Sequence, residues 1–127
     1  MERIVRAVRF DDRGLVPAVV TQHDSGEVLM LAYLNAEALR ITLRERRVTY
    51  WSRSRGELWR KGATSGNTQR LMGLAMDCDA DTLHLQVEQR GPACHTGTRS
   101  CFDGDPLAVR FADGEAIGPS EQSEAAS

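Results

Sequence analysis

Apolar and β-branched residues form two runs near the start of the chain. They occupy residues 15–22 and 28–34, and Asp24, Ser25 and Gly26 lie between them. Aspartate, serine and glycine favour tight turns because short polar side chains bond to the local backbone and glycine tolerates positive φ. The pattern therefore predicts a β-hairpin.

The next segment has the spacing of an amphipathic helix. Asn35 is a residue type that caps helix N-termini, and Ala36, Leu39 and Leu43 follow it at intervals of three and four. We expect one helix that begins after Asn35 and ends near residue 46.

Two further strand pairs are predicted downstream. Residues 48–53 and 57–60 flank a turn at 54–56, which is a second hairpin signal. Residues 71–76 are largely apolar, and residues 83–88 alternate between apolar and polar positions, so these two segments are expected to pair. The chain has no internal repeat. The predicted fold is α+β, with a mostly antiparallel β-sheet and one principal helix.

Length and composition indicate one small domain. The chain has 127 residues, of which 41% are hydrophobic, and this suits a single core. No apolar run approaches the roughly 20 residues that span a bilayer, and residues 1–10 lack the continuous apolar stretch of a secretory signal. We predict a cytoplasmic protein with one domain over residues 1–111 and a disordered acidic tail over residues 112–127.

Positive charge is concentrated in one part of the chain. The formal net charge is −2, yet residues 40–61 contain eight arginine and lysine residues and only two glutamates. Such a stretch is able to hold phosphate groups. The alternative, for residues 40–47, is the solvated surface of the predicted helix.

Three aspartates lie between the last two predicted strands. Asp77, Asp79 and Asp81, called the acidic triplet below, converge on one side of an extended backbone. Clustered carboxylates suit magnesium or calcium. An EF-hand does not fit, because Thr82 occupies the position that requires glycine and the flanks alternate as strands. The alternative is an acidic turn exposed to solvent.

The three cysteines predict a second kind of metal site. An odd number of thiols in a reducing compartment is poorly explained by disulfides, although any single one is able to serve as a small buried hydrophobe. Cys78, Cys94 and Cys101 are too few for a closed four-cysteine site, and three thiolates plus water is the ligand set of a catalytic zinc. His95 is interpreted as a fourth ligand or a proton carrier, and His84 as structural.

Residues 50–67 combine aromatic rings, cations, hydroxyls and glycines. These are components of a nucleotide phosphate site, although a hairpin with tryptophans is more often part of a core. The candidate substrate-binding residues are Trp51, Ser52, Arg53, Ser54, Trp59, Lys61, Gly62, Thr64, Ser65, Gly66 and Asn67.

Four motifs appear in order along the chain. They are Trp51-Ser-Arg-Ser, Trp59-Arg-Lys-Gly with Thr64-Ser-Gly-Asn, Asp77-Cys-Asp-Ala-Asp, and Cys94-His-Thr-Gly with Cys101-Phe. Together they resemble the phosphoribosyl-AMP cyclohydrolase family, over roughly residues 10–105.

The resemblance implies a reaction. It is the third step of histidine biosynthesis, in which water opens the adenine ring of phosphoribosyl-AMP between nitrogen one and carbon six to give a formimino carboxamide ribonucleotide. Our mechanistic hypothesis is that zinc activates the water that adds to carbon six, while His95 relays the proton to nitrogen one.

The resemblance also implies an assembly and two metals. It implies an intertwined homodimer in which Cys78 of one subunit joins Cys94 and Cys101 of the other at zinc, while the acidic triplet binds magnesium. The magnesium is expected to neutralise substrate phosphate near Arg53 and Lys61.

Two other functions fit parts of the sequence. A zinc-stabilised nucleic-acid-binding module would use the basic stretch with Trp51 and Trp59. A magnesium-dependent phosphatase would use the acidic triplet but leaves the cysteines unexplained. The acidic cluster and the negative net charge favour a small-molecule substrate over nucleic acid, and no membrane partner is expected.

Overall fold

A computed structural model describes residues 1–94, 97–103, 109–112 and 115–117. The elements in chain order are α1 (Glu2–Ala7), β1 (Leu15–Gln22), β2 (Val28–Asn35), α2 (Ala36–Glu45), β3 (Thr49–Ser52), β4 (Glu57–Arg60), β5 (Gln69–Met76), β6 (Leu83–Gln89), β7 (Arg110–Ala112) and β8 (Glu115–Ile117).

One sheet of six strands organises the fold. Its strand order is β4-β3-β2-β1-β6-β5. The α+β prediction is confirmed, and the three predicted antiparallel pairs, β1 with β2, β3 with β4 and β5 with β6, are confirmed as well. The sheet is mixed, however, because β1 and β6 run parallel, with Ala18 opposite Leu83.

The predicted principal helix is α2, which begins and ends close to the expected positions. The Asn35 side chain accepts a 2.8 Å hydrogen bond from the backbone N–H of Ala38, so it caps the first turn as predicted. At the other end Arg46 takes a left-handed conformation with φ 58° and stops the helix. Leu39 and Leu43 are buried and anchor α2 to the core.

The core lies on one face of the sheet. Val16, Val20 and Leu34 are fully buried there, as are Leu39 of α2 and Leu85 of β6. Successive residues of a strand point to opposite faces, so the other face carries a different set of side chains. Leu31 lies on that opposite face and is 50% exposed, which leaves apolar surface uncovered in the single chain.

Two parts of the fold have no counterpart among the predicted elements. Helix α1 contributes the buried Val5, and its Glu2 forms a 2.8 Å ion pair with Arg40 of α2. Near the other end, β7 and β8 pair antiparallel, with Phe111 opposite Ala116. The predicted tail over residues 112–127 lies mostly outside the described residues, and the domain boundary stays a prediction.

Candidate functional site

The acidic triplet lies in the turn that joins β5 to β6. The side-chain oxygens of Asp77, Asp79 and Asp81 all lie within 4.8 Å of one another. The Asp77 carboxylate accepts hydrogen bonds from the backbone N–H groups of Asp81, at 3.0 Å, and Thr82, at 3.3 Å. Ala80 has φ 61°, and this left-handed residue closes the turn so that the three carboxylates meet.

The crowding of these carboxylates separates their pKa values. The pKa of Asp77 is lowered, because desolvation, which acts to raise it, is outweighed by hydrogen bonds from Asp81, Asp79 and the backbone. The pKa of Asp81 is raised by its hydrogen bonds with Asp79 and Asp77 and by desolvation. Three hard oxygen donors so close together fit a divalent cation such as magnesium or calcium.

A second cluster contains two thiols. Cys94 and Cys101 are neighbours, and Cys101 is fixed by a 2.7 Å hydrogen bond from its backbone N–H to the carbonyl oxygen of Leu29. The pKa of Cys101 is raised by desolvation, by the hydrogen bond with Cys94 and by the charge of Cys94. The positive charge of Lys61 acts to lower it. Two adjacent sulfur donors fit a soft cation such as zinc.

Lys61 places a buried cation beside the two thiols. Its side chain is only 5% exposed, and Nζ donates a 2.6 Å hydrogen bond to the carbonyl oxygen of Ala93. Nζ also lies 5.1 Å from the centre of the Trp59 ring. Burial lowers the pKa of Lys61, whereas the charges of Cys101 and Cys94 act to raise it. The ammonium group therefore favours the thiolate forms of these cysteines.

A buried polar network lies next to the thiols. The Tyr50 hydroxyl donates to the side-chain oxygen of Gln69, whose amide nitrogen donates to Gln89 at 2.7 Å. Gln22 accepts from the backbone N–H of Gln89 at 3.1 Å. Burial, and secondarily the charge of Cys101, raises the pKa of Tyr50 well above its ordinary value. Sequence reasoning missed this network, since nothing in the spacing of these residues signals that they meet.

One chain does not bring all three cysteines together. Cys78 lies exposed in the acidic turn, before β6, whereas Cys94 follows the other end of that strand. The seven residues of β6 advance about 3.3 Å each, so roughly 20 Å separates the two ends. Within the described ranges, the acidic triplet is the one group of three potential ligands close enough for a single ion.

Trp51 and Arg53, two candidate substrate-binding residues, line one cavity. Its volume is about 400 Å³, and Arg13 and Asn35 contribute to the wall. The Arg53 guanidinium lies 4.0 Å from the centre of the Tyr33 ring, a cation–π contact that holds it at the rim. The arrangement offers an aromatic surface together with two cations.

Trp51 and Trp59 project from opposite faces of the sheet. Trp59 pairs with Tyr50 across the β3–β4 ladder, and their ring centroids are 5.6 Å apart. Trp51 pairs instead with Leu58, one position along. Because adjacent residues alternate between faces, the two indoles do not share a surface in one chain.

The remaining candidate substrate-binding residues lie in two turns. Ser52 and Ser54 have hydroxyls 3.4 Å apart at the β3–β4 turn. Residues 64–66 are exposed in the loop before β5. Gly62 opens that loop at φ 83°, and a Cβ there would come within 2.8 Å of the Asn67 carbonyl carbon, so only glycine fits.

Of the two histidines discussed from the sequence, only His84 lies among the described residues. His95, the predicted proton carrier or ligand, lies outside the described residues. His84, interpreted as structural from the sequence, has Nε2 2.8 Å from the Thr21 hydroxyl. It also lines a cavity of about 410 Å³ together with Asp77, on the side of the acidic triplet.

The fold and the two clusters define a class of protein. A small α+β domain with one carboxylate cluster, one thiol cluster and cations beside aromatic rings has the side chains of a metal-dependent hydrolytic enzyme. Within the described part of the chain, no helix is long and apolar enough to cross a membrane.

Comparison with known proteins identifies the family. The sequence profile of phosphoribosyl-AMP cyclohydrolase matches residues 30–103. A protein of that name from Micrococcus luteus is 62% identical over 106 residues, which are 84% of this chain and 84% of the relative. Another from Thermobifida fusca is 66% identical over 94 residues, 74% of this chain and 81% of the relative. The chain belongs to the phosphoribosyl-AMP cyclohydrolase family, which makes it a hydrolase of histidine biosynthesis.

Proposed function

We propose that this chain hydrolyses phosphoribosyl-AMP, opening the adenine ring between nitrogen one and carbon six to give the formimino carboxamide ribonucleotide. Family membership carries the proposal, because the matched region, residues 30–103, contains the acidic triplet and all three cysteines. The product keeps both phosphate groups, so the site has to hold a doubly phosphorylated ligand while one ring bond is broken.

The acidic triplet is assigned to magnesium. Its oxygens lie within 4.8 Å of one another, and the exposed turn leaves room for the waters that magnesium retains. Bound magnesium would offset the negative charge of substrate phosphate. Arg53, held over Tyr33, supplies a planar donor for the same kind of group.

Zinc is assigned to Cys94, Cys101 and a third thiolate. A zinc ion supplies a water whose pKa is lowered to about 7, so a nucleophile is available near neutral pH. Within this chain, the Lys61 ammonium acts to lower the pKa of Cys101, against the burial and the Cys94 contacts that raise it, and so favours the thiolate that zinc binds. His95, directly after Cys94 in the sequence, is assigned to carry a proton to nitrogen one of the ring.

The third thiolate is assigned to Cys78 of a second copy of the chain. Cys78 and Cys94 lie at opposite ends of β6, too far apart to share one ion within a chain. The uncovered sheet face that carries Leu31 offers apolar surface for association. We therefore propose an intertwined homodimer in which each zinc site takes residues from both subunits.

Other proposed assignments follow from the same residues. Cys78, Cys94 and Cys101 are not joined by disulfides, which fits the reducing cytoplasm. A nucleic-acid-binding function has less support, because Trp51 and Trp59 lie on opposite faces and do not form one stacking platform.

Ultraviolet monitoring of the purified protein with phosphoribosyl-AMP tests the function. We expect ring opening that a chelator abolishes and that zinc with magnesium restores. Cys101→Ser should reduce both activity and zinc content by at least about 100-fold, because the thiolate is a metal ligand. Asp12→Ser, which introduces the same residue at an exposed position, should leave both unchanged. Full activity after complete removal of metal would refute the zinc assignment.

A further inference from the structure

A cavity outside the proposed catalytic clusters is lined by arginines. Its volume is about 550 Å³, and it lies where α2 ends and where β5 and β6 meet the loops before and after them. The side chains of Arg46, Arg47, Arg70 and Arg90 line it. Arg46 and Arg47 belong to the basic stretch at residues 40–61, but none of the four arginines is among the candidate substrate-binding residues or the proposed metal ligands.

Backbone hydrogen bonds hold these arginines together. Arg47 and Arg70 form an isolated antiparallel bridge, and the backbone N–H of Leu71 donates to the carbonyl of Arg46 at 2.9 Å. The N–H of Arg90 donates to the carbonyl of Thr68, also at 2.9 Å. The four side chains therefore originate from one hydrogen-bonded backbone framework, which places them around the same cavity.

The four guanidinium groups lack partners of their own. Within the ranges that the structure describes, none of them forms an ion pair or a side-chain hydrogen bond. Two carboxylates, Glu45 and Glu88, also line the cavity. Glu45 forms a 2.9 Å ion pair with Arg60, which lies outside the cavity, so only Glu88 remains to offset the charge of the four arginines.

The charge balance of the cavity stays positive. The C-terminal end of α2 adds about half a negative charge, which is much less than four guanidinium groups supply. Like charges gathered around one space repel, and an anion with several oxygens relieves that repulsion through paired hydrogen bonds. Solvation of a helix end does not explain Arg70, which lies in β5, or Arg90, which directly follows β6.

We propose that this arginine cavity binds a phosphate group, either free or as part of a phosphate ester. Guanidinium groups match phosphate oxygens in pairs, and the Thr68 hydroxyl adds a further donor in the wall. The volume exceeds that of one phosphate ion and leaves room for an attached sugar. Thr68 directly follows the substrate loop at residues 62–67, and Arg90 begins the segment that leads to Cys94.

The proposal is tested by isothermal titration calorimetry, in which inorganic phosphate is added to the metal-loaded protein at low salt. Replacing both Arg47 and Arg70 with glutamine should weaken binding by at least about tenfold, because charged hydrogen bonds are lost. Arg3→Gln removes one charge from the exposed surface of α1 and should leave the affinity unchanged. Absence of phosphate binding by the wild-type protein would overturn the proposal.

Two additions keep the experiment decisive. Circular dichroism shows whether the first double variant folds. If it does not, the pair Arg46→Gln with Arg90→Gln replaces it, and an unchanged phosphate affinity of that variant also counts against the cavity.

Phosphoribosyl-AMP then distinguishes the source of the phosphate. Displacement of phosphate by this ester, with a raised KM in the variant, assigns the cavity to the substrate, while simultaneous binding assigns it to free phosphate. The calorimetric result stands even if the proposed reaction fails.

Discussion

Tyr50 shows how much a single buried hydroxyl contributes beside the thiol cluster. Its ring is fully buried, and its hydroxyl donates to Gln69. Tyr50→Phe keeps the packing but leaves the Gln69 oxygen without that donor, so we expect the free energy of unfolding to fall by about 1–3 kcal/mol. Urea denaturation of the metal-free protein measures this.

Tyr33→Phe is the matched control for that variant. Tyr33 keeps its ring under Arg53, and its hydroxyl forms no hydrogen bond within the described part of the chain. Its removal should change the stability by less than about 0.5 kcal/mol. Equal losses for the two variants would mean that the hydrogen bond from Tyr50 contributes nothing of its own.

Arg46 holds a backbone conformation that its side chain disfavours. With φ 58° it lies in the left-handed region, where a non-glycine residue carries strain. Arg46→Gly should raise the free energy of unfolding by up to about 1 kcal/mol, although glycine adds entropy to the unfolded chain. Arg44→Gly, inside the last turn of α2, should instead lower it by about 1 kcal/mol. Thermal unfolding measures the stability of both variants. If Arg46→Gly lowers the free energy of unfolding as much as Arg44→Gly does, the left-handed conformation of Arg46 carries no strain.

Residue types identified candidate ligands in the sequence, but they did not predict contacts between residues that are distant in sequence. The sequence identified the acidic triplet from three carboxylates at alternate positions, on the assumption of an extended backbone. The structure brings them together differently, in a turn that the left-handed Ala80 closes. The sequence did not predict the contact of Tyr50 with Gln69, or the shared cavity of Arg47 and Arg70. These partners are far apart in sequence, and only the path of the strands brings them together.

Among the elements, the β5–β6 turn is the part most directly open to test. Magnesium that binds only the folded turn should stabilise the protein by about 2.7 kcal/mol at 100 times the dissociation constant. Asp79→Asn removes one carboxylate of the triplet and should abolish most of this gain. Thermal unfolding with and without magnesium measures the difference.

Asp24→Asn provides the control for the magnesium measurement. Asp24 is an exposed acid in the β1–β2 turn, so its replacement changes the net charge by the same amount. This variant should keep the full response to magnesium. If both variants respond like the wild-type protein, the triplet does not hold the ion.

Local elements were predictable where the signal lay in neighbouring residues. The Asn35 cap fixed the start of α2, and the turns at residues 24–26 and 54–56 fixed the hairpins. The parallel pairing of β1 with β6 was missed, because β2 takes one edge of β1 and nothing local shows which strand takes the other. Helix α1 was missed as well, since its one buried residue, Val5, gives no periodic pattern.

At the scale of the whole molecule, the distance between Cys78 and the other thiols makes assembly part of the proposed mechanism. Cys78→Ser and Cys101→Ser should each be inactive alone, because every zinc site of either homodimer lacks a ligand. In a mixed dimer, the intact Cys78 of one subunit meets the intact Cys94 and Cys101 of its partner, and one site is complete.

Random exchange of the two inactive proteins should therefore restore about a quarter of the wild-type activity, since half of the dimers are mixed and each mixed dimer has one complete site. Ring opening measured after subunit exchange, with mixed dimers counted by native mass spectrometry, checks this. A mixture of Cys94→Ser with Cys101→Ser is the control, because both changes fall on the same side of each site and no complete site forms. Recovery in that control, or none in the first mixture despite mixed dimers, would show that Cys78 does not complete the site from the partner subunit.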